Sequence, residues 1–410
     1  MDLWWILFVF DGLLFAIVAI TVVYFLVFSF ASLFIHHNMP SRAKAQKRFI
    51  VLITSYKQDK AIRYTVDSIL GQTYPQRMFD VVVISDHQKE ITNMQLAQQP
   101  ITLLTPNFDE SSKVKSLQYA IFNLPKFKIY DAILLLDAGD IVKPEFMEEM
   151  NDAFSSSGSK AVQIHCISAN RDNPISRLSS TFEEINNAIF RRGHQILGLS
   201  AALNSSGSVF DFQWFKESIM KIRSSDSEEK ALEGLLMRDN IYIDYFEDIY
   251  LYKHQVGDIH SFNKLHAHSI YIQIHALINN LRFLPGALIN RRYDHIDKII
   301  QWMLIPRTIL MGIIALMSII IPFIYMTPAI KWWVIGALAL FSFAMATPNY
   351  LVDSHWDKDF LYSPRILIGG LQNIFRAGGN EATTRVSSIS KWIYNLRGDR
   401  KAKNKNNNKR

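Results

Sequence analysis

Three apolar runs limit what this chain can fold into. Residues 12–34 read GLLFAIVAITVVYFLVFSFASLF, carry no charge, and are long enough to cross about 30 Å of hydrocarbon as a helix. A second run covers residues 308–326. A third covers 332–346 and reaches a plausible span when extended to Leu351. In lipid such runs are stable only as helices, which satisfy their own backbone polar groups. A cleaved signal peptide would need a basic start and a shorter apolar stretch. The first run has neither, so it reads as a retained anchor, with Trp4 and Trp5 suited to the membrane interface.

Charge sets the expected orientation. Arg42, Lys44, Lys47 and Arg48 follow the first run, and Arg397, Arg400, Lys401, Lys403, Lys405, Lys409 and Arg410 crowd the tail. The loop between the last two runs holds only Lys331. The positive-inside rule then gives three crossings of a cell's inner membrane, with the N-terminus outside and both the middle of the chain and its tail cytoplasmic. The formal net charge of +7 lies mostly beside apolar segments, which points to a membrane surface and not to nucleic acid. The single cysteine, Cys166, excludes an intramolecular disulfide framework and a cysteine zinc cluster, and it fits a reducing cytoplasm.

Between Arg48 and about Tyr252, short β-rich runs alternate with amphipathic helical stretches. Strands are expected at 49–54, 80–85, 101–105, 132–136 and 161–167, with helices such as 61–70 and 112–124 between them. Continuous Val/Ile/Leu strands separated by helices predict a mainly parallel sheet covered on both faces. Ligands of such sheets bind at the carboxyl ends of the strands. Asp86 ends one strand; Asp137 and Asp140 follow another. A pair of carboxylates at a sheet edge suits a hard divalent cation, Mg or Mn, which can bridge to diphosphate oxygens. The same acids would also serve simply to cap the next helix or to stay hydrated. Glu228 and Glu229 open a helical pattern; there they are dipole partners of the first turn or, for one of them, a general base.

Taken in order, these segments resemble the membrane-bound family 2 glycosyltransferases, the group that includes cellulose, chitin and hyaluronan synthases. Thr54-Ser55-Tyr56-Lys57-Gln58 resembles the family's nucleotide-contacting Pro-x-Tyr-Asn-Glu segment, and Asp86 sits at its uridine-binding aspartate. Lys113, before Leu117 and Ala120, matches a lysine facing the donor. LLLDAGDIVKPEFM tracks the segment that ends in the metal-binding Asp-x-Asp. Residues 204–210 resemble the acceptor loop, and Glu229 falls at the catalytic base. The resemblance implies an α/β chain: a GT-A-type mainly parallel sheet domain plus three transmembrane helices. It further implies inverting transfer from a nucleotide diphosphate sugar, UDP-linked in preference, to a lipid-linked or glycan hydroxyl. Thr54, Tyr56, Gln58, Asp86 and Lys113 would hold the donor, Asp137 and Asp140 the cation, and Glu229 would deprotonate the acceptor.

Two departures bear on activity. Gly139 replaces the second acid of Asp-x-Asp, putting Asp140 one residue late. The Gln-x-x-Arg-Trp motif of polymer-making members has no counterpart, and His266 and His268 stand in that region. Processive synthesis is therefore not expected, and a non-catalytic scaffold of the same fold is the main alternative. A nucleotidyltransferase would want glycine after the first strand, where TSYKQDK has none. The expected organisation is an anchor at 1–35, the transferase domain at 48–255, interface helices at 256–303, two spans at 304–351, an interfacial segment at 352–396 and a basic tail at 397–410. Protease applied to intact cells should spare the tail; cleavage near Lys401 would contradict this topology.

Overall fold

The computed structural model describes residues 3–34, 40–125, 127–255, 257–324 and 326–352. Beyond Val352, the expected interfacial segment and basic tail lie outside the described residues. The chain runs α1 (Leu3–Ala31), β1 (Phe49–Tyr56), α2 (Ala61–Leu70), β2 (Phe79–Asp86), α3 (Glu90–Leu96), β3 (Thr102–Leu104), α4 (Lys113–Asn123), β4 (Ala132–Asp137), β5 (Asp140–Ile141), α5 (Phe146–Ser157) and β6 (Ala161–Ser168). It continues through α6 (Pro174–Asn186), a π-helical turn (Asn187–Gly193), α7 (His194–Ile196), β7 (Ser208–Asp211), α8 (Phe212–Ile219), α9 (Glu228–Arg238) and β8 (Ile243–Lys253). Then come α10 (Ile259–Asn280), α11 (Leu284–Ile289), α12 (Tyr293–Met303), α13 (Arg307–Ile324) and α14 (Met326–Ala346).

The strands form one sheet in the order β3-β2-β1-β4-β7-β6-β8-β5. The first four pair in parallel; β7 runs antiparallel to both β4 and β6, and β5 antiparallel to β8. Side chains of successive strand residues point to opposite faces, and β1 follows this through two hydrophobic layers. Phe49, Val51 and Ile53 pack with Ile62 and Val66 of α2 and Met150 of α5. Ile50 and Leu52 pack with Leu117 of α4, Phe215 of α8 and Leu236 of α9. Burial on both faces explains why the parallel strands read as unbroken apolar runs.

α1, α13 and α14 are long and apolar enough to cross a membrane. Asp11 of α1 accepts from Trp332 Nε1 at 2.8 Å and pairs with Lys331, while Ser29 meets Ser342 at 2.9 Å. α1 and α14 therefore run parallel. α13 runs antiparallel to α14, as three successive crossings require.

The spans are tied to the sheet domain by a close backbone approach. His194 is fully buried, stacks on Phe28 with ring centroids 3.8 Å apart, and lies 2.8 Å from the Tyr24 hydroxyl. Tyr24 in turn donates to Asp297 of α12 at 2.7 Å. A Cβ added at Gly193 would stand 2.3 Å from the Phe28 carbonyl oxygen, which is backbone and cannot swing away. Gly193→Ala should accordingly destabilise the protein by about 1–3 kcal/mol. Thermal unfolding in detergent measures the shift; an unchanged midpoint would show that this contact does not fix the spans.

Candidate active site

The carboxyl ends of β1, β2 and β4 form one edge, because β1 pairs in register with both neighbours: Tyr56 with Asp86, and Thr54 with Asp137. Two groups of residues collect there.

At the first, the strands end in left-handed backbone. Lys57 has φ 53° and His87 φ 55°, conformations uncommon for non-glycine residues and often found at functional sites. The two rings that flank these turns, Tyr56 and His87, meet edge to face at 5.8 Å. Tyr56 is half exposed. Asp86 is buried and holds His87 Nδ1 at 2.5 Å. Gln88 reaches back to the Ser55 hydroxyl, and Gln58 stays exposed. Asp59 accepts from the Lys89 amide at 2.8 Å and from the Thr92 hydroxyl at 2.7 Å, tying the two loops together.

The second group surrounds Asp137. Oδ1 accepts from the Thr54 hydroxyl at 2.9 Å and from Lys113 Nζ at 2.5 Å. Oδ2 accepts from the Ser205 hydroxyl at 3.0 Å and faces Lys253 Nζ at 3.5 Å. Lys113 starts α4 under the Ser112 cap and also donates to the Ser205 carbonyl at 2.5 Å. Lys253 ends β8 and donates to the Ser205 hydroxyl at 3.0 Å. Burial opposes ionisation of Asp137, but the two ammonium groups outweigh it and hold the carboxyl well below the usual carboxylate range. Burial likewise works against the charge on Lys113 and Lys253, and the neighbouring carboxylates together outweigh it, Asp137 and Glu228 at Lys113 and Asp137 and Asp140 at Lys253, raising both.

Asp140 behaves differently. Gly139 adopts φ +100°, a conformation other residues rarely take, and turns the chain back on itself. Asp140 Oδ2 then accepts the Asp137 amide at 2.7 Å, and its other oxygen is buried with no hydrogen-bond partner among the described residues. Burial pushes its carboxyl up to about 6, against the pull of Lys253. The glycine that breaks the Asp-x-Asp pattern is thus the residue that makes this turn possible.

Glu228 and Glu229 face different surroundings. Glu228 lies 3.4 Å from Lys113 Nζ; burial raises its pKa, with Asp137 and Glu229 adding to the effect and Lys113 opposing. It belongs to the Asp137 group. Glu229 pairs with Lys230 at 2.6 Å and lines a cleft of about 470 Å³. The cleft lies between the sheet domain and the helices α1, α10 and α13. Its walls include Asn204 and Lys253, Arg191 of the π-helical turn, Phe182 of α6, His266 of α10, Phe25 of α1 and Arg307 of α13.

The sequence reading gave no role to Lys253, Arg191 or Arg307. Arg191 is buried, donating to the Ala202 carbonyl at 3.1 Å and to Glu183 at 3.2 Å. Arg307 bonds Asn186 at 2.8 Å and sits over the Phe182 ring. His266, which stands in the region of the absent Gln-x-x-Arg-Trp motif, has its pKa lowered by burial and by Arg307 and is neutral at pH 7. The cleft's cations are therefore arginines and lysines from other parts of the chain. Cys166 is a core thiol, pushed up to about 12 by burial, which rules it out as a nucleophile.

Residues 46–217 match the family model described as glycosyltransferase like family 2. No curated protein matches the chain. Among solved structures, the mannosyltransferase PcManGT from Pyrobaculum calidifontis, in complex with GDP-Man and Mn2+, overlays with a TM-score of 0.52 at 12% identity, covering 82% of this chain and 97% of that one. The 1–349 fragment of S. aureus TarS covers 80% of this chain and 90% of its own at 16% identity, with a TM-score of 0.42. The first likeness is one of fold.

The cation expected at Asp137 and Asp140 can be tested against the residues present. Among the described residues, no group of three or more His, Cys, Asp or Glu side chains is placed to hold a metal ion. Asp137 already accepts three hydrogen bonds and faces Lys253, and Asp140 is buried. This donor set does not fit a divalent cation.

Proposed function

We propose, from the match of residues 46–217 to a glycosyltransferase family 2-like model, that the chain moves a sugar, with inversion, from a nucleotide diphosphate sugar to a hydroxyl of a lipid-linked or glycan acceptor at the cytoplasmic membrane face. The observation that carries this reading is the cleft: Glu229 and Lys253 of the sheet domain share it with Phe25 and Arg307 of two spans. A transferase acting on a soluble acceptor has no need of a site walled by its own membrane helices.

In this reading the base of the donor, uridine by the Asp86 position, stacks against Tyr56 beside His87. Thr54 and Gln58 flank it, and Asp86 orients His87. Lys113 faces the diphosphate. The acceptor enters from the membrane side, where Leu288, Ile289 and Tyr293 of α11 and α12 present exposed apolar surface suited to the lipid interface. Glu229 takes the proton of the acceptor hydroxyl as its oxygen bonds the anomeric carbon. The bond from that carbon to the β-phosphate oxygen breaks, and its electron pair departs with the nucleoside diphosphate. The chain divides accordingly into an anchor, a cytoplasmic transferase domain at 48–255, interface helices at 256–303 and two spans at 304–351.

Glu229→Gln keeps shape and hydrogen bonding but removes basicity. Nucleotide affinity should persist while transfer falls by about 10² or more. Glu228→Gln should instead change donor affinity, because it loosens the surroundings of Lys113. Transfer and binding assays on both variants separate the roles; full transfer by Glu229→Gln would remove it as the base.

A further inference from the structure

We infer that this site meets the donor's diphosphate with the ammonium groups of Lys113 and Lys253 and takes no divalent cation. The inference rests on the reading of the donor as a nucleotide diphosphate sugar. Two positive side chains converge on one carboxylate, Asp137, from opposite sides: Lys113 at 2.5 Å from Oδ1 and Lys253 at 3.5 Å from Oδ2. With the Thr54 and Ser205 hydroxyls on the same oxygens, Asp137 already accepts three hydrogen bonds and faces a fourth donor, Lys253. Magnesium would need open oxygen ligands near 2.0–2.1 Å, manganese likewise open oxygen ligands, and either ion would have to bind beside both ammonium groups.

The second acid of the pattern offers no alternative. The Gly139 turn points one Asp140 oxygen at the Asp137 amide and buries the other. Both lysines, by contrast, sit at fixed places. Lys113 is the first residue of α4, and Lys253 closes β8, opposite Asp140 in the β5 pairing. Each keeps part of its side chain open to solvent, 18% for Lys113 and 31% for Lys253, and Lys253 also lines the cleft. The two ammonium groups, which share Asp137 and, at Lys113, also face Glu228 at 3.4 Å, stand at the sheet edge where a leaving diphosphate develops its negative charge. An ammonium there does without coordination geometry and needs only to remain charged.

The test uses the full-length protein in detergent and manganese alone as probe. Electron paramagnetic resonance should show the free manganese signal undiminished by the wild-type protein. Lys113→Met/Lys253→Met, which frees the Asp137 oxygens, should acquire a bound ion; Lys253→Met alone serves if the double variant does not fold. One equivalent of manganese held by the wild type and lost in Asp137→Asn would overturn the inference. Calorimetry with UDP and GDP supplies a second readout. Binding should be the same in EDTA as in manganese and should weaken at least ten-fold in Lys253→Met; binding abolished by EDTA would also overturn the inference. If neither nucleotide bound under any condition, the failure would lie with the proposed function, and the manganese experiment would still decide this point.

Discussion

The Asp137 carboxylate is the interaction on which the rest of the site depends. It ends β4 and gathers side chains from four other parts of the chain: Thr54 of β1, Lys113 of α4, Ser205 before β7 and Lys253 of β8. A charge this enclosed is tolerable only when paired and hydrogen-bonded. Removing either lysine would leave the other partners short of compensation, so the group assembles as a unit. The convergence also fixes which ends of the sheet meet, since β8 reaches Asp137 only because the antiparallel β7 and the parallel β6–β8 pair carry it there.

The second constraint is the seam between this domain and the spans. The π-helical turn brings Gly193 against the Phe28 backbone, and the Tyr24, His194 and Asp297 side chains link α1, α7 and α12. Those contacts leave the cleft beside them, with Arg191 and Arg307 braced by Glu183 and Asn186 on its wall. The polar sheet edge and the apolar bundle thus share one cavity, and its position follows from how the spans dock. A loosely tethered anchor would not create it.

Much of the sheet was legible in the sequence. β1, β2 and β4 are buried on both faces, and their apolar runs carry that fact directly; β6 is buried as well, with Gln163 and His165 inside it. β7 was read as part of an acceptor loop because its four residues follow Asn204-Ser205-Ser206-Gly207 and make too short a run to register. β8 was missed because IDYFEDIYLYK mixes acids with aromatics and shows no continuous apolar pattern. The site divides in the same way. Asp86, Asp137 and Lys113 sit next to strand ends or helix starts with recognisable surroundings. Lys253 is a lone lysine at the end of an unrecognised strand, and its partner Asp137 is more than a hundred residues away. The Asp140 turn was visible as an irregular motif, but only the φ of Gly139 shows why the acid is late and buried. Glu228 and Glu229 are adjacent on one helix, and pattern alone does not fix the phase that sends one to Lys113 and the other to the cleft.

The central claim is that this sheet edge binds a nucleotide diphosphate sugar. Titrating the purified full-length protein with a panel of UDP- and GDP-sugars, followed by calorimetry, tests it most directly. The account predicts saturable binding of one of them, displaced by the matching free nucleoside diphosphate. No binding across the panel, with or without manganese, would contradict it and would leave a scaffold that keeps the glycosyltransferase fold without its chemistry.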